Sequence, residues 1–207
     1  MDLVSRPAAA PFQPLDACGI QWGLLGRVTS PRGVQIAATD GLPNGRTENN
    51  LKAVSAVLGY SMRMPRDLAI GRGRRPFQSI GRLNFYSPGV SLKLRSGGPI
   101  TLALCFLSAD FLANLSEAEA GLRLGDLGLL TSIESERLAF YGQAMFREAI
   151  APGFASSLFA EAVGLAIAAE VASYDGARRR EGARQGGWPA GRCGAWRTMF
   201  ATGFRAT

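Results

Sequence analysis

Two pairs of polar side chains in the middle of the chain are spaced so that they could hold a bound molecule. Asn84 and Tyr86 alternate with apolar residues, and so do Lys93 and Arg95. Because successive side chains of a β-strand point to opposite faces, each pair shares one face. In a cavity, the amide and phenol would hydrogen-bond a ligand and the two cations would bind an anion; the alternative for the cations is a face in water. These four are the predicted ligand-binding residues.

The chain contains no histidine. This excludes Ser-His-Asp and Cys-His catalysis and metal sites built on histidine. Catalysis by lysine, tyrosine or a carboxylate stays open in principle, but no pair of such residues is spaced for it. We therefore expect a protein that is not an enzyme and that holds neither a metal nor a cofactor.

The cysteines and the apolar segments indicate a cytoplasmic protein. Cys18, Cys105 and Cys193 are odd in number and lack C-x-x-C spacing, which predicts neither a disulfide framework nor a zinc site. The N-terminus has no apolar core of a secretory signal. The longest apolar run contains Glu161 and Glu170 and is too short to span a bilayer, so no membrane partner is expected.

A glycine-rich loop carries the basic residues Arg72, Arg74 and Arg75 next to Phe77. Cations beside an aromatic ring can bind phosphate and stack on bases. The interpretation we favour is that these charges are solvated on a loop. The glycines of this loop lack the spacing of a dinucleotide-binding fingerprint.

The first half of the chain has the pattern of β-structure. Strands are predicted at residues 81–86, 90–95 and 100–107, separated by Ser-Pro-Gly and Ser-Gly-Gly-Pro turns. The last of these strands is continuously apolar and is expected to be buried on both faces. Residues 40–56 are not assigned beyond an initial loop. The alternating residues of the middle strand that should face the core are Val90, Leu92 and Leu94.

After residue 108 the apolar period changes to that of helices. Ser108 can cap a short helix, and Ser116-x-x-Glu119 and Thr131-x-x-Glu134 both have the form of a capping box. The second box predicts a helix that runs to about Ala149. Pro152-Gly153 should then break the chain.

A final helix is predicted over residues 156–174. One of its stripes, rich in small residues, would make a homodimer with a second copy; the alternative is that the helix packs back on the β-structure. Three arginines at 178–180 would close the helix where positive charge favours the dipole. The predicted dimerisation residues are Leu158, Ala162, Leu165 and Ala169.

The end of the chain differs in composition from what precedes it. Residues 178–207 hold seven arginines against one glutamate, a net +6, whereas residues 1–177 hold sixteen cations against fifteen acids, a net +1. The segment shows no apolar periodicity, and we expect residues 188–207 to be disordered, with no buried side chain.

A shifted reading frame explains this composition. GC-rich codons for the residues from Gly187 onward, read two bases later, encode LAGWQMRRVEDYVRDRLPGD. Trp188 before Pro189 forces an Ala in that frame, and Met199 before Phe200 forces a Val. The recovered peptide is amphipathic, with balanced charge. We therefore expect residues 187–207 to be encoded out of frame; the alternative is a genuine basic tail.

The recovered peptide resembles the first helix of the DNA-binding domain of AraC-type transcription regulators, where a G-G-L-x-x-W-Q-x-R-R-V-x-D-Y-V pattern is common. The in-frame chain is similar to the amino-terminal sensor domain of the same family. The similar segments are RPFQSIGRLNFYSPGVSLKLR at 75–95, FLSADFL at 106–112 and ERLAFYGQAMFREAIAPG at 136–153.

This resemblance implies an α+β fold: a cupin-like antiparallel β-barrel or sandwich followed by a helical hairpin. We expect a flexible N-terminus at 1–17, a sensor barrel with dimerisation helices at 18–175, and a basic, disordered tail at 176–207. The family's sensor binds a small effector and forms a homodimer. The two helix-turn-helix units that bind DNA are missing here, so this chain should not bind an operator specifically.

A second hypothesis comes from a different class of protein. The chain would be a self-contained, cupin-like protein that binds a small molecule without a metal. Its arginine-rich tail would then be genuine and would touch nucleic acid or an acidic membrane through counterion release.

Overall fold

The structure is a computed structural model that describes residues 12–14, 20–43, 47–74, 76–118 and 124–186. Residues 187–207, predicted to be out of frame and in part disordered, lie outside these ranges. The predictions for Cys18, Cys193 and Arg75 also fall outside them. Compactness divides the chain into two units, residues 1–172 and residues 173–207.

Within the described ranges the chain forms eleven strands, three α-helices and a 3-10 helix at Leu124–Asp126. The helices are α1 (Ala109–Ala118), α2 (Glu136–Ile150) and α3 (Ser156–Gly186). The strands are β1 (Phe12–Pro14), β2 (Ile20–Thr29), β3 (Val34–Pro43), β4 (Thr47–Ala53), β5 (Ala56–Arg63), β6 (Ala69–Gly71), β7 (Gln78–Ser79), β8 (Leu83–Tyr86), β9 (Ser91–Ser96), β10 (Ile100–Leu107) and β11 (Leu129–Leu130).

The strands form two antiparallel sheets. One has the order β1-β4-β9-β6-β7, and the other has the order β11-β8-β5-β10-β3-β2. The α+β class predicted from the sequence is confirmed. The described strands do not close into a single barrel. The strand predicted at residues 100–107 is present with those bounds as β10.

The apolar core between the two sheets explains the alternation of β9. Val90, Leu92 and Leu94 are buried as predicted, and they pack with residues such as Ile100 and Leu104 of β10. Ala103, Cys105 and Leu107 of β10 point to the opposite face of the six-stranded sheet and are also buried. Both faces of β10 are therefore inside the molecule.

Helices cover that opposite face. Helix α2 packs across β2, β3, β5 and β10. Its Gly142 lies so close to Tyr60 of β5 that a Cβ there would overlap the tyrosine side chain. Helix α3 approaches the start of β3, where a Cβ on Gly164 would lie 2.8 Å from the methyl groups of Val34. The small residues of these helices thus permit close contact with the sheet.

Helices α2 and α3 run antiparallel, as the predicted hairpin requires. Near one end Ser135 donates its hydroxyl hydrogen to Glu170 at 3.2 Å, and near the other the Ser156 hydroxyl bonds to Glu148. The chain turns between the helices at Pro152-Gly153, which was the predicted break.

Both predicted capping boxes are wrong. Helix α2 begins at Glu136 with Ser135 as its N-cap, because the preceding residues continue along β8: the Ile133 amide donates to the Leu83 carbonyl at 3.0 Å. Ser116 lies inside α1, where its hydroxyl donates to the Leu112 carbonyl at 2.9 Å. The predicted cap at Ser108 is confirmed, since its Oγ accepts from the Phe111 amide at 3.1 Å.

Two boundaries differ from those expected. Phe12–Pro14, inside the predicted flexible N-terminus at 1–17, pairs with β4. Helix α3 does not end at residue 174 but continues to Gly186, so the first part of the predicted 176–207 tail is helical. Residues 175–186 contain helix-favouring Ala, Arg and Glu, and Asp175 pairs with Arg178 and Arg179 on the next turn. The three arginines therefore do not close the helix.

One helical segment, Ser156–Glu181, is long and apolar enough by length and composition to cross a membrane. From the sequence, the apolar run in this segment was expected to be too short to span a bilayer. Helices that pack on a protein core share these two properties, and Ile167 and Val171 of this segment are fully buried. A single helix of this kind is weak evidence for a membrane span.

Candidate functional site

A cavity of about 40 Å³ lies between the two sheets. Most of its wall is aliphatic, and Trp22, which is 36% exposed, forms part of it. The polar contribution comes from one serine, one asparagine and one tyrosine. The lining residues are Trp22, Gly59, Ser61, Leu68, Ile80, Asn84, Tyr86, Leu92, Leu94, Ile100, Leu102 and Leu104.

The strand register explains why these residues meet. Across the inner face of the six-stranded sheet, Leu104 of β10 stands opposite Gly59 of β5, which stands opposite Asn84 of β8. In the neighbouring row Leu102 stands opposite Ser61. Gly59 is thus surrounded by larger side chains, and its missing side chain leaves space. A Cβ there would lie at ordinary contact distances, 3.5 Å from Leu104 and 3.9 Å from Tyr86.

Asn84 is buried and makes two hydrogen bonds away from the cavity. Its Oδ1 accepts from the Ser132 amide at 3.1 Å, and its Nδ2 donates to the Gly81 carbonyl at 2.9 Å. An asparagine amide carries two N–H donors. These bonds hold the side chain in place, and the second N–H of the amide can donate a hydrogen bond to a ligand.

Tyr86 is 8% exposed and also lines the cavity. Burial raises the pKa of its phenol above its usual value, because the phenolate would lose its hydration. The phenol is neutral at physiological pH even at its ordinary pKa, and burial disfavours its ionisation further. Ser61, 2% exposed, adds a hydroxyl to the same wall.

The predicted cations do not join this site. Lys93 and Arg95 alternate with the buried Leu92 and Leu94 of β9, so they lie on the other face of the strand and are half-buried. The guanidinium of Arg95 stacks 3.8 Å from the ring centre of Phe77, a cation–π contact. Of the four predicted ligand-binding residues, the structure brings Asn84 and Tyr86 to the cavity and places Lys93 and Arg95 outside it.

The other sequence candidates lie at the surface. Arg72 and Arg74 are exposed, as expected of solvated charges on a loop. On α3 the predicted dimerisation residues Leu158 and Leu165 are 67% and 42% exposed, and Ala162 and Ala169 are exposed as well. The opposite face of the helix, which includes Ile167, is buried.

Sequence reasoning missed several residues that shape the cavity. Gly59, Ser61 and Trp22 were not assigned to it. The apolar run through β5 indicates a buried strand, but only its pairing with β8 and β10 shows that Gly59 and Ser61 face the other sheet. In the part of the chain that the structure describes, no group of three or more acidic or cysteine side chains could hold a metal ion.

Comparison with protein-family models, with curated proteins and with solved structures finds no significant match to this chain.

Proposed function

We propose that this chain is the effector-sensing and dimerisation part of an AraC-type transcription regulator. Its two sheets would form the cupin-like sensor, and α2 and α3 would form the dimerisation helices. The chain would act in the cytoplasm by binding a small molecule and would catalyse no reaction. The reading frame would shift near Gly187, so the residues from there on would not be those of the family's DNA-binding domain.

One arrangement supports this proposal most directly. The cavity lies on the inner face of the six-stranded sheet, and α3 packs on the outer face while exposing Leu158 and Leu165. A sheet that separates a ligand cavity from an unpartnered apolar helix face is suited to a sensor that also dimerises. An exposed apolar stripe of this kind favours association with another surface.

The size of the cavity indicates how an effector would enter. Pockets for drug-sized ligands measure roughly 300–1,000 Å³, whereas this one measures about 40 Å³. The cavity as it stands is therefore smaller than a drug-sized effector. Binding would require the sheets to separate at the end of the cavity where Trp22 reaches the surface.

Sequencing of the DNA that encodes the chain tests this proposal. If the proposal is correct, the frame that is shifted at codon 187 continues and encodes two helix-turn-helix units. An in-frame stop after Thr207 with no such downstream frame would overturn it. That result would favour the alternative, a self-contained binding protein whose basic tail is genuine.

A further inference from the structure

We infer that the cavity between the sheets binds an uncharged, mainly apolar small molecule with a single hydrogen-bonding group, and that it discriminates against ions. This inference rests on the proposed function, since it names the ligand class of the same site. It differs from the anion that the sequence suggested through Lys93 and Arg95.

The wall of the cavity is uncharged. None of the described residues that line the cavity bears a charge. Lys93 and Arg95 lie on the outer face of β9, with Leu92 and Leu94 between them and the cavity. Tyr86 is protonated at physiological pH, and burial raises its pKa further. An ion in this space would lose its hydration without gaining an opposite charge.

Few polar groups on the wall can bond to a ligand. Both Oδ1 and one N–H of Asn84 are already engaged by the protein. The remaining N–H of Asn84 can donate, and the Ser61 hydroxyl can donate or accept. Both residues are on the six-stranded sheet, while Leu92 and Leu94 form the facing wall. One ligand hydroxyl or carbonyl can be satisfied at the polar side, and the rest of the ligand meets aliphatic carbon.

The size of the cavity limits how well water can be bound in it. At about 40 Å³ the space holds about three waters, and a buried water needs two to four polar partners. Ser61, Tyr86 and one N–H of Asn84 supply too few partners for three waters. Replacing poorly bonded water by an apolar group favours binding. The ligand is thus compact, with a small polar end.

Thr39 shows where the cavity can grow. Its Oγ1 is the one buried side-chain polar atom, among the residues described, that has no hydrogen-bond partner. Thr39 stands opposite Leu102 of β10, which stands opposite Ser61. Shortening Leu102 would therefore enlarge the cavity toward a second unpaired hydroxyl.

Three probes of nearly equal size test the inference: benzyl alcohol, benzoate and benzylamine. Each is larger than the present cavity of about 40 Å³, so the entry of any of them requires the sheets to separate at the Trp22 end. Titrations of the full chain, followed by the leucine methyl resonances in ¹H–¹³C spectra, measure each Kd. We expect saturable binding of benzyl alcohol, with at least tenfold weaker binding of benzoate and of benzylamine. Leu102→Ala should tighten the binding of benzyl alcohol several-fold.

Variants locate the binding in the cavity. Gly59→Ala fills the space at ordinary contact distance and should abolish binding, whereas Gly125→Ala, where a Cβ meets nothing within 4 Å, should leave it unchanged. Ser61→Ala should remove the preference for benzyl alcohol over toluene. Unchanged amide spectra away from the cavity show that each variant folds.

Two results would overturn the inference. In the first, benzoate or benzylamine binds as tightly as benzyl alcohol, and Gly59→Ala abolishes this binding. The other is no binding of benzyl alcohol by either the native chain or Leu102→Ala. Neither result bears on the DNA sequence downstream of codon 187, so a failure of the ligand class is distinct from a failure of the proposed function.

Discussion

The Oδ1 atom of Asn84 accepts a hydrogen bond from the backbone amide of Ser132 at 3.1 Å. This bond joins a residue of the cavity wall to the loop that leads into α2. Ser132 has a φ of 55°, the one positive φ at a non-glycine position among the described residues. Its Oγ accepts from the Gly81 amide at 2.7 Å. These bonds offset the cost of holding a serine in the left-handed region.

We expect Asn84→Leu to lower the free energy of unfolding by about 1–3 kcal/mol, because it removes two hydrogen bonds while keeping the number and branching of the side-chain heavy atoms. Urea denaturation should show a lower midpoint with an unchanged slope. Ser132→Gly is the matched control: it loses one hydrogen bond but relieves the positive φ, so its effect should be smaller. An Asn84→Leu protein as stable as the native chain would show that these bonds contribute little.

Cys105 should make stability depend on alkaline pH. Burial raises the pKa of its thiol from 9.0 to about 12. Between these values the unfolded chain releases the proton and the folded chain retains it. Stability is therefore lost as pH rises from about 9, by up to about 1.4 kcal/mol per pH unit, and the thiol has no effect below about pH 8.

Denaturation of the native chain and of Cys105→Ala between pH 7 and pH 11 measures this effect. The variant should be less stable at pH 7, because the substitution leaves a small cavity. The gap between the two proteins should narrow above pH 9. Parallel stability curves would mean that the thiol is not as buried as the structure places it.

Substitution by glutamate should have different effects on the exposed and the buried face of α3. Leu165 is 42% exposed and Ile167 is fully buried. Leu165→Glu should leave the fold intact and shift a homodimer to monomer in sedimentation experiments at micromolar concentration. Ile167→Glu should cost several kcal/mol or prevent folding, because it buries an unpaired charge. A native chain that sediments as a monomer at that concentration would refute the dimer.

The crossing of α2 over β5 depends on a glycine. A Cβ at position 142 would overlap the side chain of Tyr60 close to its attachment to the backbone, where the ring cannot easily move aside. We expect Gly142→Ala to lower the melting temperature, at a cost of about 1–3 kcal/mol. Gly125→Ala, which meets no neighbour, should change it little. Equal melting temperatures for the two variants would contradict this packing.

Sequence patterns correctly predicted those elements whose structure depends mainly on their own residues and not on distant contacts. The alternation around Leu92 and the continuous apolar run of β10 correctly indicated strands with one and two buried faces. Ser108 and Pro152-Gly153 correctly marked a helix start and a break. The exposure of Leu158 and Leu165 agrees with the stripe chosen from the helical period.

Tertiary contacts decided the rest. Thr131 and Glu134 have the form of a cap, but pairing of the following residues with β8 delays the helix to Glu136. Alternation placed Lys93 and Arg95 opposite the core side of their strand, but it could not decide whether they face a cavity or water. It also could not decide whether Asn84 and Tyr86 face the cavity. Only the packing of one sheet on the other directs Asn84 and Tyr86 inward and the two cations outward.

Footprinting tests the central claim most directly. The 207-residue chain and a chain with its frame restored at codon 187 are each incubated, at physiological salt, with the DNA upstream of the gene. The frame-restored chain should protect a defined site, because recognition helices can then enter the major groove. The 207-residue chain should bind weakly and without sequence preference. A defined site protected by the 207-residue chain, or none protected by the frame-restored chain, would contradict the account.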